Sequence, residues 1–338
     1  KFDIVLYNII IFMSLSSDYT LHRKNLIGSF LESENITFKS LIKIKSDASP
    51  RKYYRIQNKK LLLMDADPRT NEKLTSFVKI DKILLNYGLT APKIYKKDIL
   101  NGLMLLEDFG EDTFSKILNK KNEKTMYKNA LEVLSVLNNK GKTAPTIKGL
   151  KKYTINEQLK ETSLFFEWYL QEHLGKKLDK DSIFSFELNL KKLYKKICTK
   201  NRTLVLRDFH VDNLIKRADK KIGLIDFQDA LLGSSSYDLS SIIEDVRRPI
   251  SRELKDMLIK YFRKLTKEDL EKLKIEIAYF SVQRNMKIIG IFSRLKYRDN
   301  KPRYMKYIPN AKNFIRNHLE NQELRILKEW FQANRINV

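Results

Sequence analysis

The stretch LVLRDFHVDNLIKRADKKIGLIDFQDA, Leu204–Ala230, decides the reading of this chain. It gathers Asp208, Asp212, Asp219, Asp226 and Asp229, with Asn213 and His210, beside two short apolar runs. The chain around it is strongly basic, with 66 Lys and Arg against 41 Asp and Glu, a formal charge of +25 over 338 residues. Short apolar runs bounded by polar residues read as buried strands. The carboxylates therefore sit at strand ends, where a loop can bring them together.

The spacing is informative. Asp208 and Asn213 form D-x-x-x-x-N after the run TLVL, and Asp226 follows the run GLI thirteen residues after Asn213. A phosphoryl-transfer site gives such residues separate tasks. One carboxylate takes the proton of the attacking hydroxyl, while an amide oxygen and a second carboxylate hold Mg²⁺ against nucleotide phosphates. Mg²⁺ is a hard cation that prefers oxygen ligands and keeps several waters, so two protein ligands suffice.

Composition narrows the alternatives. The 42% hydrophobic content, with 16 Tyr and 18 Phe, belongs to a folded globular protein. A charge of +25 attracts anions, but the lysines run along the whole chain and no nucleic-acid-binding module is recognisable. No nucleic-acid partner is expected. The single Cys198 excludes an internal disulfide framework and a cysteine zinc site, and His22, His173, His210 and His318 are scattered. A reducing cytoplasm fits. The apolar run Ile4–Met13 is too short to span a bilayer, so no membrane partner is expected. The chain begins at Lys1; Met13 is a candidate initiator, and residues 1–20 are set apart as an extension.

Outward from the quoted stretch, two textures appear. Residues 21–33 have helical periodicity, and strands are expected at 36–44, 52–57, 61–66, 91–95 and 103–109, with a helix over 71–87. Beyond Phe109 helices dominate, at about 112–119, 123–139, 154–174, 181–199, 238–246, 251–263, 267–294 and 311–333. The aromatic run SLFFEWYL, 163–170, reads as a core face, Asp238 as a helix N-cap, and Asp212 as a turn cap. The expected fold is α+β and bilobal: a small β-rich first lobe over 21–108 and a larger helical second lobe over 109–338, with a cleft that suits a ligand.

LRDFHVDNL followed by GLIDFQDA resembles the catalytic and metal loops of the aminoglycoside phosphotransferase and choline kinase superfamily. That superfamily has the protein-kinase-like fold. SDASPRKYYRI (46–56), LLLMDADP (61–68), LTAPKIY (89–95), LMLLEDFG (103–110), YDLSSIIEDVRR (237–248) and IIGIFSRLKYRDNKPRYMKYIP (288–309) are similar to its N-acetylmuramate and N-acetylglucosamine anomeric kinase branch. The resemblance implies ATP and Mg²⁺, with Asp208 as catalytic base and Asn213 and Asp226 as metal ligands. It implies that the backbone of Glu107, Asp108 and Phe109 lies against adenine, and that the turn Ser46, Asp47, Ala48, Ser49 to Arg51 covers the phosphates. Arg207, His210 and Asp229 are the candidate contacts to the acceptor. It also implies salvage of cell-wall sugars in a bacterial cytoplasm.

Two departures stand out. Leu206 occupies the place of the His in H-x-D. The third strand offers Met64 and Asp65 where protein kinases carry a phosphate-pairing Lys, so Arg51, Lys52 or Arg55 would supply the charge, with Glu72 as a candidate partner. Two other readings stay open: a kinase for choline, an aminoglycoside or another small alcohol, and a non-catalytic module that binds anions or nucleic acid.

Overall fold

A computed structural model describes residues 19–44, 50–70, 74–143, 149–198 and 203–338. The expected phosphate turn at Ser46, Asp47, Ala48 and Ser49, the candidate partner Glu72 and the run Ile4–Met13 lie outside the described residues. The chain divides into two compact units. The first comprises Lys1–Lys82 and Ala91–Glu111, the second Ile83–Thr90 and Asp112–Val338.

The first unit is built on an antiparallel sheet in the order β1-β2-β3-β5-β4, with β1 Leu41–Ile44, β2 Lys52–Ile56, β3 Leu61–Asp65, β4 Ile94–Asp98 and β5 Leu103–Glu107. The two strands with near-continuous apolar runs, LLLMD and LMLLE, are interior and largely buried, whereas β4 (IYKKD) alternates and lies at an edge. Burial on both faces demands apolar residues at every position; an edge strand does not. Strand β4 begins three residues later than the run APKIY predicts. A helix over 19–32 (α1) sets Ile27, Phe30 and Leu31 against Leu63 and Leu105, which face each other across β3 and β5. Gly102 closes the β4–β5 turn at φ +67°, and a Cβ there would lie 1.9 Å from the Ala66 carbonyl oxygen. Helix α2, Leu74–Asn86, buries Leu74, Phe77, Ile80 and Leu84 at helical spacing.

The second unit holds helices α3 Phe114–Ile117, α4 Glu123–Thr143, α5 Ile155–Leu164, α6 Lys180–Ile197, α7 Ser235–Ile243, α8 Arg252–Thr266, α9 Leu270–Tyr297, α10 Ile308–Leu319 and α11 Arg325–Ala333. Four short strands carry the quoted stretch. β6 Thr203–Val205 pairs with β9 Leu231–Gly233, and β7 Leu214–Lys216 pairs with β8 Ile222–Leu224. Helix α9 is buried around most of its circumference and runs through the core.

The expected strand 36–44 is a 3-10 turn, Phe38–Ser40, followed by β1, and two of the expected helices are interrupted. The expected helix 154–174 changes at Phe165 into a π-helical segment, Phe165–His173. There the α9 backbone comes so close that a Cβ on Gly290 would meet Leu164 and Phe165 backbone atoms at 2.4–2.6 Å. The expected helix 311–333 is broken. Helix α10 starts earlier, with Pro309 in its first turn, and ends at Leu319. Asn321 then caps a new turn by accepting from Glu323 N–H at 2.9 Å. The aromatic run is core: Phe165 and Phe166 pack with Phe186, Trp330 and Phe331.

Candidate active site

The loop between β6 and β7 carries Asp208 and Asn213; the turn between β8 and β9 carries Asp226 and Asp229. The pairing of β7 with β8, Leu214 opposite Leu224, puts the residues just outside both strands side by side. Asn213 Nδ2 donates to the Asp208 carbonyl at 3.0 Å and lies 3.5 Å from Asp226 Oδ2. With its amide nitrogen so placed, Asn213 has its Oδ1 left to ligate a cation. Gln228 Nε2 donates to Asp226 Oδ1 at 2.9 Å and to Asp229 Oδ2 at 3.3 Å, which ties the second loop together. An amide oxygen beside a carboxylate is the donor set Mg²⁺ prefers. Asp226 adopts φ +58° and Arg207 φ +72°, left-handed conformations costly for residues with a Cβ and found where a site must be shaped.

What holds Arg207 in that conformation was not anticipated from sequence. Asp238, 1% exposed, accepts from Leu206 N–H at 2.6 Å and Arg207 N–H at 3.0 Å. It is not the N-cap of α7: Ser234 is, accepting from Ser236 N–H. Burial pushes the Asp238 carboxyl up to about 7, against the pull of its two N–H donors. Asp245 accepts from Val211 N–H at 3.2 Å and so grips the same loop farther along. Asp212, expected to cap a turn, pairs with Arg247 at 3.0 Å.

Behind Asp208 lies a buried polar cluster. Glu161 of α5 binds Arg207, Tyr153 Oη, Gln283 Nε2 at 2.8 Å and Lys287 Nζ at 3.1 Å. Lys287 also reaches Tyr237 Oη at 3.3 Å. Burial pushes the Asp208 carboxyl up, but the charges of Lys287, Arg207 and Arg284 outweigh it and hold the group below its ordinary value. Asp208 is therefore ionised at neutral pH and able to accept a proton. Burial likewise pulls His210 down to about 4, so it is neutral. His210 is 7% exposed, with Nε2 3.4 Å from Asn213 Nδ2; Asp229 is exposed.

In the first unit, the N–H groups of Glu107 and Asp108 donate to the carbonyls of Lys93 (2.8 Å) and Lys60 (3.1 Å). The Asp108 side chain accepts from Gly110 N–H at 2.8 Å and pairs with Arg55. Arg55 also binds Glu111, so its guanidinium is engaged at this connector. Arg51 is buried, at 6% exposure. Asp65, at the third-strand position, is paired by Arg23 of α1, whose Nε donates at 3.0 Å. Gln228, Asp245, Glu161, Arg284 and Lys287 escaped the sequence reading, which took Asp238 for a cap; only Gln228 and Asp238 sit close in sequence to the motif of Asp208, Asn213 and Asp226.

The phosphotransferase enzyme family model matches residues 40–274. An N-acetylmuramate/N-acetylglucosamine kinase of Pseudomonas aeruginosa is 32% identical over 285 residues, 81% of this chain and 82% of that protein. Among solved structures, the choline kinase LicA from Streptococcus pneumoniae superposes with TM-score 0.65 at 14% identity, covering 88% of this chain and 99% of that one. An ADP-bound aminoglycoside phosphotransferase superposes with TM-score 0.60 at 14% identity, covering 86% and 96%. The likenesses of fold agree with the α+β, protein-kinase-like class expected from the sequence. Among the described residues no helix is long and apolar enough to cross a membrane. This chain belongs to the phosphotransferase enzyme family and is a phosphotransferase acting on a hydroxyl acceptor.

Proposed function

We propose that the chain transfers the γ-phosphoryl group of ATP to the anomeric hydroxyl of an N-acetylated amino sugar, N-acetylmuramate or N-acetylglucosamine. The observation that carries the acceptor class is the cluster beside Asp208. It sets two cations, Arg207 and Lys287, against Glu161 and the ionised Asp208, so the carboxylates there are already answered. That leaves no surplus negative charge to hold a choline or aminoglycoside cation, whereas a neutral sugar needs none. The relatives named for these two sugars support the same reading.

Asp208 orients the acceptor hydroxyl and takes its proton as the oxygen attacks phosphorus. Lys287 and Arg207 keep that carboxylate ionised until the transfer. Asn213 Oδ1 and Asp226 would hold Mg²⁺, which when bound offsets charge on the nucleotide phosphates. Asp238 and Asp245 hold the loop in place, and Gln228 steadies Asp226. Of the residues expected to touch the acceptor, Arg207 serves through the cluster and Asp229 is open to solvent, while His210 buttresses Asn213 from within. The connector Glu107–Phe109 is the proposed adenine contact. Arg51 and Arg55 remain the proposed basic residues on the nucleotide side, Arg55 through its place on Asp108.

The test is a panel of N-acetylmuramate, N-acetylglucosamine, choline and an aminoglycoside with ATP and Mg²⁺, product position read by ³¹P NMR. Phosphate on the anomeric oxygen of the sugars alone is expected. Phosphorylation of choline or the aminoglycoside in preference would sink the acceptor assignment.

A further inference from the structure

A groove of about 780 Å³ opens in the second unit between α8, α9 and α10. Its volume lies within the roughly 300–1,000 Å³ usual for small-molecule sites. It is separate from Asp208, Asn213 and Asp226, none of which lines it. Arg252, Lys255, Lys260 and Lys274 line it, with Asp256 the one carboxylate in the lining and Glu271 paired to Lys274 at 2.8 Å from outside it. Asn313 and Asn317, one helical turn apart on α10, present side-chain amides to the same space. The floor is apolar, with Ile259 and Ile277 nearly buried. Cations for a dianion, amides for hydroxyls and an apolar floor for a ring face together describe a phosphorylated sugar.

The groove wall is wired to the catalytic loop. Glu244, fully buried, accepts from Lys255 Nζ at 2.9 Å and from Ser281, and contacts His318 Nε2 at 2.7 Å. Lys255 and His318 both line the groove. The next residue, Asp245, holds Val211 N–H in the catalytic loop, and Arg247 pairs with Asp212. Asn310 of α10 donates to the Val246 carbonyl at 2.8 Å, so the segment is held from the groove side as well. One short segment thus meets the groove residues Lys255 and His318 through Glu244 and the loop of Asp208 through Asp245.

We propose that this groove is a second, regulatory site for a sugar phosphate, whose phosphate draws Lys255 away from Glu244, loosens the hold of Asp245 on the catalytic loop and slows turnover. The proposal does not depend on which acceptor the active site takes. Burial pushes the Glu244 carboxyl up, and His318 and Lys255 reverse this to bring it to about 2, so Glu244 competes with the ligand as a full anion.

The probe is the 6-phosphate of a methyl glucoside, whose blocked anomeric oxygen keeps it from serving as an acceptor. Calorimetric titration is made on wild-type protein and on Lys260→Glu and Asn317→Ala, each checked for an unchanged thermal midpoint. Turnover is then read with and without the probe in each, using whichever acceptor the panel yields. Binding to wild type is expected, weakened at least about ten-fold by Lys260→Glu, with turnover slowed about five-fold in wild type and not in that variant. No binding, or binding indifferent to both substitutions, overturns the site. Binding that leaves wild-type turnover unchanged overturns the regulatory coupling. Failure of the acceptor assignment would appear in the panel and leave the calorimetry untouched.

Discussion

The two units use charge differently. In the first, ion pairs tie strand ends and turns together. Arg23 joins Asp65 to the Asn101 carbonyl, and Arg55 joins Asp108 to Glu111 where the chain leaves β5. In the second, buried charges are stacked behind one carboxylate, that of Asp208, the proposed base. Glu161, Arg207 and Lys287 form a cluster, and Asp238 and Asp245 grip the loop that bears Asp208. The difference teaches that burial governs what a charge can do. The Arg55–Glu111 pair is open to water, with Glu111 64% exposed, and is screened, whereas Lys287 and Glu161 are 12% and 9% exposed and attract each other with little screening.

The largest expected effect tests the second unit. Asp208→Asn should lower turnover by about a hundred- to ten-thousand-fold while the ATP dissociation constant stays within about two-fold. Turnover near wild type would remove Asp208 from its role. Next, Asp238→Ala leaves two buried N–H groups without an acceptor and should cost about 2–4 kcal/mol in urea unfolding, with a parallel fall in kcat. An unchanged kcat at reduced stability would show that the loop does not need that anchor.

A third prediction concerns pH. Burial pushes Glu161 up, and Lys287 and Arg207 overcome this to hold it at about 2. Its carboxylate therefore stabilises the fold fully above its unfolded value near 4.5, and that stability is lost as pH falls from about 4.5 to about 2. The loss amounts to about 3 kcal/mol. Glu161→Gln should be less stable at pH 7 and flatter through that window. The smallest effect belongs to the first unit: Arg55→Ala should cost about 1 kcal/mol or less, read as a shift in urea midpoint. A cost as large as that of Asp238→Ala would erase the contrast between the units.

Much of the molecule is legible from local sequence. The runs LLLMD and LMLLE declare interior strands, and the Leu21–Leu31 spacing declares a helix on that sheet. Asp208, Asn213 and Asp226 are legible because a β6–loop–β7 unit and a hairpin confine them within twenty residues, so local turns alone bring Asn213 to Asp226. Asp238 was misread because an Asp near a helix start is usually a cap; here Ser234 takes that task, which leaves the Asp to turn inward. The break at Asn321 was missed because the apolar period of α11 continues that of α10, and a single capping side chain ends one helix and starts the next.

The sequence by itself determined the strand pattern, the helical second half and the candidate motif of Asp208, Asn213 and Asp226, because those depend on periodicity and on neighbours a few residues apart. Only the tertiary structure decided that Glu161, Lys287, Arg284 and Asp245 surround Asp208, and that Arg23 rather than a strand lysine answers Asp65. Glu161, Arg284 and Lys287 lie on helices 47 to 79 residues from Asp208, Asp245 lies just beyond α7 at 37 residues, and Arg23 is 42 residues from Asp65. Burial, which sets their charge states, exists only once the helices have packed.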